Sequence, residues 1–260
     1  MMQTTDKGGS PRVIVLPNEE SAAKWAAIAI TDCAIESVEA RGRFSVALAG
    51  GSTPRLTYER LASESHEGRI DWPKVRVFFT DDRCVADDDD VSNHRMVSEA
   101  MLSHVGIDEC SVFPMSGVLG AGPGGDLYQQ VLLDMFPDEG DRLDFVLLGM
   151  GTDGHTASLF PGTEALLVND VRATGNYLDD LDGEERMTMT FSFLNASRRI
   201  VFLVTGEHKA DALRAVLTGS TDVTKLPAQG IVPTDGTVHW IVDEAAASRL
   251  PIELKQVGNE

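Results

Sequence analysis

The feature that most constrains this fold is an alternation along the chain. Short apolar, β-branched runs recur, and the stretches between them carry helical periodicity. Such runs are strands buried on both faces. A helix after each one returns the chain to the same sheet edge, which gives βαβ units and a mainly parallel, doubly wound α/β sheet with helices on both faces. The pattern predicts strands over residues 12–16, 44–49, 75–80, 143–148, 200–205 and 238–242. Helices are expected over 19–40, 54–62, 93–104, 126–135 and 209–217. A short extended piece falls near Val112, residues 117–125 read as a Gly/Pro-rich loop, and residues 245–250 as a closing cap. The pattern weakens after residue 155, where residues 171–176 and 187–191 are expected to form a small, partly antiparallel addition. With no internal repeat or low-complexity linker, the expectation is a flexible tail over residues 1–11 and a single catalytic α/β domain over 12–260.

Charge narrows the partners. A formal net charge of −19 over 260 residues disfavours nucleic acid and anionic membrane, so an anionic ligand needs a local basic pocket. Cys33, Cys84 and Cys110 lack metal-ligand spacing and suggest neither a disulfide framework nor a zinc site, which fits a reducing compartment. No stretch reaches the length of a membrane span and the first residues are polar, so a cytoplasmic protein is expected, with a monomer as the default.

Three loops leave the carboxyl ends of strong strands, the edge at which open α/β sheets bind ligands. The first contains Gly50, Gly51, Ser52 and Thr53 before Pro54. Its amides and the following helix dipole suit a phosphate, although a tight turn capped by Ser52 or Thr53 would read the same way. It is not a Walker loop, because the lysine and the spacing are absent. The second holds Asp81, Asp82 and Arg83, either a ligand-positioning group or a surface ion pair. The acidic run 87–90 lacks the alternating ligands of a calcium loop and reads as solvated. The third contains Gly149, Gly151, Asp153, Gly154 and His155. Its glycines permit close backbone approach to a ligand, and His155 is placed as a general base, against the alternative of a structural histidine. The register is wrong for a dinucleotide fingerprint, and there is no Gly-x-Ser-x-Gly elbow.

Together, Leu48-Ala-Gly-Gly-Ser-Thr-Pro54, Phe78-Phe-Thr-Asp-Asp-Arg-Cys-Val85, Ser92-Asn93 and Leu148-Gly-Met-Gly-Thr-Asp-Gly-His-Thr-Ala-Ser-Leu-Phe-Pro161 resemble the 6-phosphogluconolactonase family. The likeness continues through Asn195-Ala-Ser-Arg-Arg199 and Phe202-Leu-Val-Thr-Gly-Glu-His-Lys209. It implies a modified Rossmann-like sheet, shared with glucosamine-6-phosphate deaminases, and hydrolysis of 6-phosphogluconolactone in the pentose phosphate pathway. No cofactor and no metal are implied. The related deaminases continue past the Asp-Gly-His core with an acid-containing segment. This chain has Thr156-Ala-Ser-Leu-Phe-Pro161 instead, which favours the lactonase.

The resemblance also distributes roles. His155 would act as base and then acid, Arg83 with loop amides would stabilise the oxyanion, and Asp81 would orient sugar hydroxyls or water. Arg198 and Lys209 would join the residue 50–53 turn around the phosphate. Asp82, Ala86-Asp87 and His94 depart from the common family pattern, and the loose match over residues 178–186 leaves a ligand contact from Arg186 open. The rivals are an aldose-ketose isomerase or deaminase and a non-catalytic sugar-phosphate sensor. The sensor reading lacks a DNA-binding helix pair and a basic face.

Overall fold

The computed structural model describes residues 12–64, 68–138, 140–178 and 183–257. The tail expected over residues 1–11 and the middle of the loosely matching segment 178–186 lie outside these. Strands β1 (Arg12–Leu16), β2 (Phe44–Leu48), β3 (Val75–Phe79), β5 (Val112–Phe113), β6 (Phe145–Leu148), β9 (Arg199–Val204), β10 (Thr237–Asp243) and β11 (Lys255–Val257) form one sheet. Its order is β11-β1-β10-β9-β6-β2-β3-β5, and every pairing is parallel. A second sheet, β4-β8-β7, joins β4 (Asp81–Arg83) to the antiparallel strands β8 (Glu184–Met189) and β7 (Ala173–Leu178).

The side-chain alternation of the strands divides the interior into two cores. Val46, Leu48, Val77, Phe79, Val201 and Leu203 face helices α1 (Glu19–Arg41), α2 (Ser52–Glu64) and α3 (Asn93–Ala100). Ala47, Phe78, Val146, Phe202 and Trp240 face α4 (Ala121–Met135) and α6 (Ala210–Thr218). A short α5 (Phe191–Asn195) follows β8. Helix α1 shows how local chemistry sets these layers. Asn18 accepts the Ser21 amide at 2.9 Å, Glu19 and Glu20 occupy the first turn, and Gly42 closes the end at φ 74°. Its buried face is largely alanine, so the helix axis lies close to the sheet.

One brace ties these elements together at the amino ends of the strands. Asp144, 3% exposed, accepts Arg41 Nε at 3.0 Å and the Ser45 amide at 2.9 Å, and Arg198 Nε lies 3.4 Å from it. The last turn of α1, the start of β2 and the entrance to β9 therefore share one carboxylate.

The structure moves several expected boundaries. The predicted loop 117–125 is mostly helix, because α4 begins at Ala121, ahead of the expected residue 126. Pro123 sits in the first turn, where its missing N–H costs nothing, and Glu185 accepts the Ala121 amide at 2.7 Å. Gly125 presses on β7 so closely that a Cβ would stand 2.4 Å from the Gly175 nitrogen, so packing overrides helix propensity. Helix 93–104 is instead α3 followed by a 3-10 turn at Leu102–His104. Residues 81–83, read as loop, pair with β8 as a strand. Strand β11, at the edge of the large sheet, was not anticipated at all.

Strand order places the ligand-binding edge. From β2 the chain builds outward through β3 and β5, and from β6 it builds the other way through β9 and β10. The reversal falls between the neighbours β2 and β6, so the loops leaving their carboxyl ends open a crevice at the switch point.

Candidate active site

A cavity of about 490 Å³ fills this crevice. The loop after β2 contributes Gly50, Gly51, Ser52 and Thr53, and the strand after β3 contributes Asp81 and Arg83. The loop after β6 contributes Gly149, Met150, Gly151, His155 and Ala157. From the end of β9 come Thr205, Gly206, His208 and Lys209, with Asp243 at the end of β10 and Glu19 at the start of α1.

At the centre of the third loop, His155 Nδ1 lies 2.6 Å from Asp153 Oδ1, which also accepts the His155 amide at 3.1 Å. Asp153 thereby selects the tautomer with the proton on Nδ1 and leaves Nε2 as the basic nitrogen. The ring stacks on Phe160 with centroids 4.1 Å apart, so its plane is fixed from a second side. Gly151 makes the pair possible, since a Cβ there would stand 2.1 Å from His155 Nδ1 and 2.4 Å from Asp153 Oδ1. Burial pushes the Asp153 carboxyl up, but the hydrogen bond and charge of His155 bring it below the usual aspartate range. Asp153 and Gly154, expected in the substrate loop, lie outside the cavity lining, Asp153 against the imidazole and Gly154 against Leu226.

The second segment is not a surface ion pair. Asp81 and Asp82 are both buried, and neither binds the Arg83 guanidinium. Asp82 accepts the amides of Arg83, Asn93 and His94 at 2.8, 2.8 and 3.1 Å, which anchors the start of α3. Burial raises its pKa despite those three donors. Arg83 Nη1 donates to Asn93 Oδ1 at 2.6 Å and to the Val91 carbonyl at 2.9 Å. Held by that one nitrogen, the guanidinium has its others to offer a ligand.

Thr53 Oγ1 and Thr205 Oγ1 are 3.2 Å apart, so the turn after β2 touches the end of β9 directly. Lys209, half-buried at the close of a 3-10 turn, has its pKa lowered by desolvation, with the charge of Asp153 opposing. Among the described residues no cluster of His, Cys, Asp and Glu side chains is arranged to hold a metal ion, and Asp90 pairs with Arg95 at 2.7 Å.

Arg198 is the sequence-derived candidate that the fold does not bring here. It precedes the first residue of β9, whereas Lys209 follows the last, and a six-residue strand spans roughly 20 Å. Arg198 belongs to the Asp144 brace at the other end of the sheet. Arg186 is likewise outside the lining, paired with Glu184. Glu19, Thr205, His208 and Asp243 line the cavity without having been singled out. Their signal would have been position just past a strand or at a helix start, which becomes informative only once strand order is known.

Residues 17–240 match the model of the family described as glucosamine-6-phosphate isomerases/6-phosphogluconolactonase. The chain belongs to this family. A relative from Synechocystis sp. named 6-phosphogluconolactonase is 37% identical over 246 residues, covering 93% of this chain and 99% of the relative. One of the same name from Nostoc sp. is 38% identical over 221 residues, covering 83% and 88%. Among solved structures, the 6-phosphogluconolactonase of Trypanosoma brucei superposes with a TM-score of 0.83 at 26% identity, covering 93% of this chain and 99% of that one. The family fold expected from the sequence, a mainly parallel Rossmann-like sheet with a small antiparallel addition, is the fold observed.

Proposed function

We propose that this chain is a 6-phosphogluconolactonase, hydrolysing 6-phospho-D-glucono-1,5-lactone to 6-phospho-D-gluconate. The observation that carries the reading is the Asp153-oriented imidazole of His155 in one cavity with Arg83, Lys209 and the residue 50–53 turn. That set offers a base, cationic donors and a phosphate cradle, and relatives of the same name span nearly the whole chain.

In the proposed reaction, His155 Nε2 removes a proton from water as the water oxygen bonds to the lactone carbonyl carbon. The tetrahedral intermediate collapses with cleavage of the bond to the ring oxygen, which takes the proton from Nε2. The new carboxylic acid then ionises. Arg83 meets the oxyanion. The Gly151 and Gly154 amides are spent within the loop, on the carbonyls of His155 and Gly151, so Arg83 carries most of that role. Asp81 orients sugar hydroxyls or the attacking water. The phosphate lies on the amides of Gly50 and Gly51 and the hydroxyls of Ser52 and Thr53, with Lys209 as the cation beside them and without Arg198.

The carboxylate expected after the Asp-Gly-His core of a deaminase is absent here. Thr156 and Ser158 instead spend their hydroxyls on the Gly149 carbonyl and on Asp81. The test is acid release from freshly generated lactone with spontaneous hydrolysis subtracted, run beside a glucosamine-6-phosphate deaminase assay. Lactone turnover without deamination is expected, and no rate above background would overturn the assignment.

A further inference from the structure

We infer that Ser158 is a positioning residue that acts through Asp81, its buried hydroxyl holding that carboxylate in fixed relation to the imidazole of His155. The inference rests on the lactonase reading. Asp81 lines the cavity and is buried, and among the described residues it forms no ion pair. Its side-chain oxygens accept instead from two hydroxyls, Thr80 Oγ1 at 2.9 Å and Ser158 Oγ at 2.7 Å. A carboxylate held by directed donors keeps one orientation, whereas one held only by water would not.

Ser158 itself is 1% exposed and does not line the cavity. Each of its polar groups is engaged. Its amide donates to Thr188 Oγ1 at 3.3 Å, its carbonyl accepts Asn176 Nδ2 at 2.8 Å, and its hydroxyl goes to Asp81. These partners come from all three strands of the small sheet, since Asp81 lies in β4, Asn176 in β7 and Thr188 in β8.

The backbone between His155 and Ser158 carries a matching signature. Ala157 has φ 48°, alone among the described non-glycine residues in taking a positive value. Such strain persists where the surroundings over-determine it. Here the Thr156 hydroxyl on the Gly149 carbonyl, the Gly151 amide on the His155 carbonyl, and the Ser158 contacts fix both sides of the turn. The left-handed residue reverses the chain so that His155 reaches the cavity while Ser158 turns beneath Asp81. Base and carboxylate, one from the loop after β6 and the other from β4, are thus set relative to each other by four consecutive residues.

The experiment compares steady-state lactonase kinetics of wild type, S158A and T188V, with melting temperature as the check on folding. Thr188 supports the same buried network but does not touch the Asp81 carboxylate, so T188V reports a purely structural contribution. The expected result is kcat about tenfold or more lower in S158A with KM within about twofold, and T188V close to wild type. Should S158A not fold, S158C keeps the volume with a much weaker donor, and the same outcome is expected of it. A wild-type kcat in the serine variant, a loss confined to KM, or an equal fall in T188V overturns the inference and leaves the lactonase reading standing. No turnover by the wild type overturns both.

Discussion

His155 reaches the cavity already oriented, and its neighbours make separable contributions to its chemistry. Replacing His155 with alanine removes the proposed base, so kcat should fall by about a hundredfold or more with KM little changed. Steady-state acid release measures both, and near-normal kcat would dismiss the base assignment. The Asp153→Asn variant keeps the shape but no longer favours the Nδ1–H tautomer. Its kcat should drop at least about tenfold, by less than the histidine variant. Equality with wild type would make the 2.6 Å contact ornamental. Lys209 is remote from the reacting carbon in the proposed pose, so Lys209→Ala should act mainly through KM. The candidate base and its loop were legible because a glycine-dense segment followed the most apolar strand. The pairing of Asp153 with the imidazole was not anticipated, although an Asp-x-His spacing puts the carboxylate within reach of the ring.

At the scale of elements, the Asp144 brace tests what holds the layers in register. Removing the buried Asp144 takes an acceptor from the Ser45 amide and the counter-charge from Arg41 and Arg198, while Arg41 keeps Ser37 and both arginines reach water, so Asp144→Ala should cost about 2 kcal/mol in denaturant unfolding. The Arg198→Ala variant should lose part of that stability and keep its KM. A raised KM would return Arg198 to the phosphate site. The sequence could not reveal this placement, because a basic residue beside a strand reads the same at either end of it. The parallel strands were readable for the opposite reason, since burial on both faces writes an uninterrupted apolar run. The small sheet was faint because β7 and β8 mix Asn176, Glu185 and Arg186 with apolar residues. The start of α4 was hidden by glycines that serve contact with β7 and weaken the helix signal.

For the whole molecule, pH sensitivity follows from buried groups that do not line the cavity. Burial, with the charges of Arg12 and Arg199 adding to it, lowers the pKa of His239 to about 4. An imidazole in the unfolded chain titrates near 6.5, so between these values the unfolded state binds a proton that the folded state refuses. Stability therefore falls as pH drops from about 6.5 to about 4, by up to about 3 kcal/mol from this group. The raised pKa of Asp82 works the other way, because its folded form takes up a proton first. Comparing wild type with His239→Gln by denaturant unfolding across that window isolates the histidine. The variant should show a flatter profile, and parallel profiles would remove His239 as the cause.

The switch point between β2 and β6 also bears on how the protein comes to work. The two loops it joins are separated by about a hundred residues of chain, and Lys209 arrives later still, after β9. Local helix formation and pairing of β2 with β3 can precede that closure, but neither assembles a cavity, because closing so long an intervening segment is slow. Catalytic competence is thus a late property of the folding chain. In refolding from denaturant, recovered turnover should trail the return of helical signal, and an amino-terminal fragment ending before β6 would carry the phosphate turn and Arg83 without His155 or Lys209.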